Sequence, residues 1–284
     1  MSVIIKAPAK INIFLEILSA RPDGFAEIRS LIQAVSLYDI IRVERAESGL
    51  TLACSDSDVP LDSSNTVAKA WALLCGVLGN EFGAIIDIRK NIPLESGLGG
   101  GSSDAAAALV GMCREWGVDL SRRSLAQIGA AIGSDVPFFF GSGSSVVEGR
   151  GEIVLDVPAK LDYAILLVKP PYGMNTGDAY SIARKALTNN DLTNSFKRLD
   201  YSAEITRLAG RGNALENSLF KIHPEAMEIK KRLIEAGARF AAMSGSGSSF
   251  FGIFDSISGA YKARSAFDDM WNAAVEPVGI TFFE

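Results

Sequence analysis

Histidine is almost missing from this chain of 284 residues, which carries only His223. That scarcity excludes an HExxH zinc site and any multi-histidine metal centre. A Ser-His-Asp triad could draw only on His223, which precedes Pro224 in a polar stretch remote from any nucleophile motif. Cysteine is scarce as well. Cys54, Cys75 and Cys113 stand apart, odd in number and without a CxxC pair, so no disulfide framework can be written. They read as apolar thiols of a reducing compartment, the cytoplasm. No apolar run approaches the roughly 20 residues that span a bilayer. Residues 1–10 hold no apolar segment with a small-residue cleavage site. A soluble protein without membrane contact is expected. Excess positive charge is missing too, since 28 Lys+Arg face 33 Asp+Glu for a net charge of −5. That balance leaves no broad electrostatic footprint for nucleic acid. A monomer and a weak homodimer look alike at this level.

What remains is an ordinary globular composition, with 48% hydrophobic and 21% charged residues. A chain of this length buries roughly three quarters of its unfolded surface. One large domain or two intimate lobes are expected. The first ninety residues read mostly as short strands, at Val3–Lys6, Ile11–Leu18, Leu31–Leu37 and Ile40–Glu44, with a turn at Pro22-Asp23-Gly24. Helices are expected from an Asn65 cap to Leu78, over Asp104–Trp116, and from Ser121 or Ser124 to Gly133. A strand covers Ala84–Ile88, and a hairpin over Val146–Val157 turns at Gly149-Arg150-Gly151. The pattern changes near Pro158, which divides an expected first lobe (1–157) from a second (158–284). In the second lobe, strands are expected at Tyr163–Val168, Arg239–Met243, Phe250–Phe254 and Val275–Phe282. Helices are expected at Thr176–Ala186, Ala203–Ala209, Glu225–Ala236 and Gly259–Asn272, with a surface loop over Thr188–Lys197. Runs of adjacent strands mixed with helices favour an α+β fold.

The most informative segment is Pro93-Leu94-Glu95-Ser96-Gly97-Leu98-Gly99-Gly100-Gly101-Ser102-Ser103-Asp104, set between a strand and a helix. Glycines here allow positive φ and close approach of the backbone to a bulky anion. Ser102 and Ser103 fall at the helix mouth, where unpaired N–H groups and the positive dipole end favour phosphate. No GK[ST] follows, so this is not a Walker A loop, and the Rossmann glycine spacing fails at Ser102. A lone glycine cluster would read as a flexible turn. The strand, loop and helix arrangement reads as a phosphate site.

Lys10 and Asn12 share one face of an apolar strand pattern, opposite Ile11 and Ile13. Alone, Lys10 reads as an edge-strand or snorkelling cation. Asp135 sits beside the apolar run Val136–Phe140. It reads either as an Asx-turn before a strand or as a general base in a dry pocket. With no catalytic histidine to hand, Asp and Lys are the simplest remaining pair for deprotonating a hydroxyl. A nearby ammonium keeps the carboxylate ionised and stabilises a developing alkoxide. The loop Ser244-Gly245-Ser246-Gly247-Ser248-Ser249 is either a flexible hairpin connection or a second place of close backbone approach to a ligand.

Three segments in this order, PAKIN at 8–12, PLESGLGGGSSDAAAAL at 93–109 and SGSGSS at 244–249, resemble the motifs of a known superfamily. It comprises the galactokinases, homoserine kinases, mevalonate kinases and phosphomevalonate kinases (GHMP kinases). RPDGF at 21–25, LYDII at 37–41, SNTV at 64–67, GSDVPFF at 133–139, EGRGE at 148–152 and ENSL at 216–219 are similar to one branch of it. That branch phosphorylates the 2-hydroxyl of a cytidyl-diphosphate-linked methylerythritol in the non-mevalonate isoprenoid pathway.

The resemblance implies a two-lobe fold with the active site in the cleft between lobes. It implies that Asp135 takes the hydroxyl proton with Lys10 in support, and that Pro93 to Ser103 hold the ATP phosphates. It places Asn65 near the adenine. It assigns Asn12, Phe25, Thr176 and Tyr180 to the small-molecule acceptor, with Gly245, Ser246 and Gly247 beside it. Mg2+ would enter bound mainly through the nucleotide phosphates. One departure stands out. The branch carries Asp-Gly-Tyr-His at its cytidine site, and this chain has Asp23-Gly24-Phe25-Ala26. Phe25 keeps an aromatic face and Ala26 loses a hydrogen-bonding ring, for which Glu27 is a candidate substitute. A kinase for another alcohol, homoserine or mevalonate, and a non-catalytic nucleotide sensor remain open alongside.

Overall fold

The computed structural model describes residues 2–22, 25–158, 161–186 and 204–283. The turn at Asp23-Gly24 and the loop expected over 188–197 lie outside the described residues.

Two strands dominate the first half. β1 (Ser2–Ala20) and β2 (Ala26–Ala46) pair antiparallel over nearly their whole length. The four short strands expected there are therefore two long bent ones. Register shifts between Pro8 and Ala9, Asn12 and Phe14, and Ile17 and Ser19 absorb the turn chemistry. Such irregularities bend a strand without ending it. Pro8, which has no N–H for the ladder, sits at the first of them. The other edge of β2 carries β4 (Gly83–Arg89) and β5 (Ser144–Gly149) end to end. β3 (Leu50–Cys54) joins β4 in parallel, and β6 (Ile153–Asp156) closes the expected hairpin on β5. β3, of only five residues that alternate between half-buried and exposed, was not among the expected strands.

The second sheet has the order β10-β7-β9-β8 and is antiparallel throughout. Its strands are β7 (Ala164–Lys169), β8 (Phe240–Met243), β9 (Phe250–Phe254) and β10 (Trp271–Val275). The last strand ends where the sequence suggested it would begin. Pro277 cannot extend a ladder, and from there the chain crosses back to the first sheet. The Val278 N–H donates to the Ala34 carbonyl, while Ile280 and Phe282 are buried in the first lobe's core. By packing, the tail belongs to the first lobe although the second sheet precedes it.

Helices α1 (Thr66–Leu78), α2 (Gly100–Trp116) and α3 (Arg122–Ile132) share the first sheet's core. Helices α4 (Thr176–Ala186), α6 (Glu216–Ile222), α7 (Ala226–Glu235) and α8 (Ile257–Ala263) cover one face of the second. The helix expected over 259–272 stops at Ala263, followed by a 3-10 turn at Arg264–Phe267. The short α5 (Ile205–Ala209) packs into the layer between the sheets.

That middle layer explains two continuous apolar runs. Ile165 and Leu167 of β7, with Phe251 and Ile253 of β9, pack against the first sheet, and the alternate residues Leu166, Phe250 and Phe254 face the helices. A strand buried on both faces needs apolar residues at every position. β1 changes sides at its first register shift. Ile5 and Ala7 enter the helix-covered core, whereas Ala9, Ile11 and Ile13 enter the middle layer. The even-numbered Lys10 and Asn12 are thereby set opposite the middle layer, on the side of the glycine loop.

Candidate active site

α2 begins at Gly100 rather than at Asp104, so the first helical turn is built from the glycine-serine run itself. Gly99 caps it with φ +74. A Cβ at Gly99 would stand 2.8 Å from Lys10 Cγ and 3.0 Å from its Cε. The loop therefore rests directly on the lysine stem. The Lys10 N–H also donates to the Leu98 carbonyl at 2.9 Å. Gly97 has φ +72, and a Cβ there would stand 2.2 Å from the Ser244 carbonyl oxygen. Only glycine fits either position.

Lys10 is 3% exposed, which removes the reading of a solvated edge cation. Its Nζ donates to Asn12 Oδ1 at 2.6 Å and lies 3.3 Å from Asp135 Oδ2. Asn12 is held in turn, its Nδ2 donating to Ser30 Oγ at 2.8 Å. Asp135 follows α3 and opens a 3-10 turn, Val136–Phe140, where a strand was the alternative. Phe138 and Phe139 are fully buried and anchor the turn. The Asp135 side chain stays 39% exposed. Its carboxylate thus faces the cleft with one buried cation behind it.

The Ser244–Ser249 loop locks onto the glycine loop. Ser244 Oγ donates to the Gly97 carbonyl at 3.0 Å, and the Ser249 N–H donates to the Ser96 carbonyl at 3.1 Å. Residues that the sequence reading passed over brace this loop from below. Asn213 Nδ2 donates to the carbonyls of Met243 (2.9 Å) and Gly245 (2.8 Å). Glu216 Oε1 accepts the Met243 N–H at 2.8 Å. The segment ENSL pointed to Glu216, but nothing local marks Asn213, whose partners are remote in the chain. Across the cleft, Thr176 Oγ1 and Ser246 Oγ lie 2.9 Å apart.

Beneath the glycine loop lies a buried ionic cluster. Lys90 Nζ donates to Asp104 Oδ2 at 2.7 Å and to Asp39 Oδ2. Asp39 Oδ1 also accepts the N–H groups of Asn91 (2.5 Å) and Ile92 (2.8 Å), fixing the backbone just ahead of Pro93. Burial opposes the charge on Lys90, but Asp104 and Asp39 outweigh it and hold the ammonium above its usual range. With two carboxylates to one ammonium, burial prevails at Asp104 and pushes it up to about 7.

A cavity of about 640 Å³ runs along the loops. One side of it is walled by Pro93 to Gly97 and by Gly99 to Ser102, with Thr66 and Lys90. Lys10, Asn12 and Asp135 stand in its middle. Phe25, Thr176, Tyr180 and residues Gly245 to Gly247 line the remainder, joined by Arg150. Burial, then the charge of Asp135, raises the Tyr180 pKa, so its phenol stays protonated. Three of the expected residues lie off the wall. Asn65 caps α1, accepting the Val67 N–H at 2.8 Å, and its neighbour Thr66 faces the cleft instead. Leu98, which precedes the cap, is buried in the middle layer, and Ser103, in the first turn of α2, is fully buried. Glu27, the candidate substitute for the lost histidine, has its Oε2 paired with Arg21 at 2.6 Å and lies off the cavity wall.

Known proteins are similar to this chain. The model of the GHMP kinases N terminal domain matches residues 65–143, and that of the GHMP kinases C terminal matches residues 183–273. The 4-diphosphocytidyl-2-C-methyl-D-erythritol kinase of Carboxydothermus hydrogenoformans is 40% identical over 260 residues, covering 90% of this chain and 89% of the relative. That of Brevibacillus brevis is 38% identical over 272 residues, covering 94% and 92%. The chain belongs to the 4-diphosphocytidyl-2-C-methyl-D-erythritol kinase family of GHMP kinases. A crystal structure of a 4-(cytidine 5'-diphospho)-2C-methyl-D-erythritol kinase superposes with a TM-score of 0.81 at 30% identity, covering 98% of this chain and 100% of that one. Homoserine kinase from Cytophaga hutchinsonii shares the fold, with a TM-score of 0.71 at 21% identity over 99% and 96% of the two chains. The α+β, two-lobe GHMP kinase fold expected from the motifs is the fold observed. Among the described residues, no helix is long and apolar enough to cross a membrane.

Proposed function

We propose that this family member transfers the γ-phosphoryl group of ATP to the 2-hydroxyl of 4-diphosphocytidyl-2-C-methyl-D-erythritol. The observation that carries the mechanism is the Lys10–Asp135 pair, 3.3 Å apart beside the glycine loop. The Asp135 carboxylate accepts the hydroxyl proton as the acceptor oxygen bonds to the γ-phosphorus and the bond to the ADP oxygen breaks. Lys10, buried and fixed by Asn12, stabilises charge on the reacting oxygen. Backbone N–H groups of the glycine loop and the α2 N-terminus receive the phosphates. Most of the acceleration comes from positioning and electrostatics, because phosphoryl transfer asks for little covalent help from the protein.

Magnesium fits as an ion carried in by the nucleotide. Among the described residues, no group of three or more His, Cys, Asp or Glu side chains is placed to hold a metal by itself. The Ser102 hydroxyl, on the cleft wall, would hold it from the protein side. When bound, the ion neutralises charge on the β- and γ-phosphates. The protein acts in the cytoplasm as a monomer or weak homodimer on small molecules alone.

A coupled ADP-release assay tests the reading. The cytidyl diphosphate intermediate, homoserine and mevalonate are offered in parallel with Mg-ATP. Turnover is expected with the first alone. Turnover confined to homoserine or mevalonate transfers the assignment to another alcohol, and ATP binding without turnover on any of them would make the protein a nucleotide sensor.

A further inference from the structure

Arg150 has no part in the mechanism above, yet it stands in the cleft wall. It occupies the tip of the β5–β6 hairpin, and its guanidinium carbon lies 4.8 Å from the centroid of the Phe25 ring. The nearest carboxylate oxygen, Glu152 Oε1, is 3.9 Å from Nε, beyond hydrogen-bond distance. Among the described residues the guanidinium makes no side-chain hydrogen bond. Glu152 is committed elsewhere, since its Oε2 accepts the Arg150 backbone N–H at 2.6 Å. The hairpin tip also abuts the reacting carboxylate. A Cβ at Gly151 would stand 3.4 Å from Ser134 Cβ and 3.9 Å from Asp135 Oδ1. An arginine with unused donors therefore lies between Asp135 and the aromatic ring at the acceptor end.

We infer that Arg150 is a specificity residue that grips the diphosphate of the acceptor; this rests on the acceptor assigned above. In that molecule the diphosphate links the reacting methylerythritol to the cytidine. With the hydroxyl at Asp135 and the pyrimidine towards Phe25, the diphosphate falls where Arg150 stands. A planar guanidinium matches two phosphate oxygens at once. The contact with the Phe25 ring holds the guanidinium in the cleft wall, which lowers the side-chain freedom lost on binding. The same contact accounts for the tolerated loss of the histidine at Ala26, because recognition moves from the base to the linking phosphates.

The test uses the full chain and the variants Arg150→Gln and Arg150→Lys. Arg150 is exposed, so neither change disturbs the core. For Arg150→Gln the acceptor KM is expected to rise about 10- to 100-fold, on the scale of a lost charge-assisted bidentate contact. The KM for ATP should stay within about twofold, and Arg150→Lys should recover part of the loss. As inhibitors competing with the acceptor, cytidine diphosphate should weaken by a similar factor in Arg150→Gln, and cytidine should not. An acceptor KM within twofold of the parent would overturn the inference and leave the kinase reading intact. Equal weakening of both inhibitors would overturn it too, by moving the contact to the nucleoside. An unmodified protein that fails to phosphorylate the acceptor would overturn the acceptor assignment itself, a result visible before any variant is made.

Discussion

Lys10 Nζ lies 3.3 Å from Asp135 Oδ2, although much of the first lobe's sequence separates them. One residue comes from a bent strand and the other from a 3-10 turn packed on phenylalanines. The glycine loop closes over the lysine stem. The contact exists only because these three pieces share one core.

Replacing the proposed proton acceptor tests that contact first. Asp135→Asn keeps the size and the exposure of the side chain and removes its basicity. Turnover is expected to fall about 10²- to 10⁴-fold, while ATP affinity measured by calorimetry stays within a few-fold. Near-normal turnover would remove Asp135 as the base.

Gly97 and Gly79 offer a matched pair. Both have positive φ, +72 and +67, but a Cβ at Gly97 meets the Ser244 carbonyl whereas nothing lies within 4 Å at Gly79. Gly97→Ala is expected to raise the ATP KM at least about tenfold and to lower the melting temperature. Gly79→Ala should carry only the left-handed backbone cost of roughly 1–2 kcal/mol and leave the KM alone. Equal effects at the two sites would mean that the interlock of the two loops contributes nothing.

Asn213→Ala strips the brace from under the Ser244–Ser249 loop. Two buried carbonyls, those of Met243 and Gly245, lose their donor. At about 1–3 kcal/mol each, the melting temperature should fall by at least about 5 °C. The acceptor KM should rise as well, because Gly245 lies against Lys10 Nζ (3.1 Å from its Cβ position). An unchanged melting temperature would show that the brace is redundant.

Asp104 gives stability a pH dependence. Its native pKa is pushed up to about 7 from the ordinary 3.8, chiefly by burial. Between those values the native state binds a proton that the unfolded chain has released. Stability therefore falls as pH rises through this window, by at most about 1.4 kcal/mol per unit. Asp104→Asn cannot release a proton, so its melting temperature relative to the parent should climb between pH 5 and pH 8. Parallel melting curves across that range would mean that Asp104 is ionised throughout.

Much of this protein was determined by local sequence. The α1 cap at Asn65, the β5–β6 hairpin, the start of α4 at Thr176 and the glycine loop before α2 follow from side-chain and backbone chemistry within a few residues. The presence of Lys10, Asp135 and two glycine-serine segments pointed to the proposed chemistry. Other features depended on partners far along the chain. Only packing decided that four strand signals would fuse into two long strands, and that residues after Val275 would leave the second sheet for the first. The same holds for the Asn213 brace, the Lys90 cluster and the place of Arg150 over Phe25. Hydrogen-bond caps and turns are satisfied by neighbours in sequence, whereas a buried ion or an unpaired carbonyl takes whatever partner the closed core delivers, and no local pattern records which one that will be.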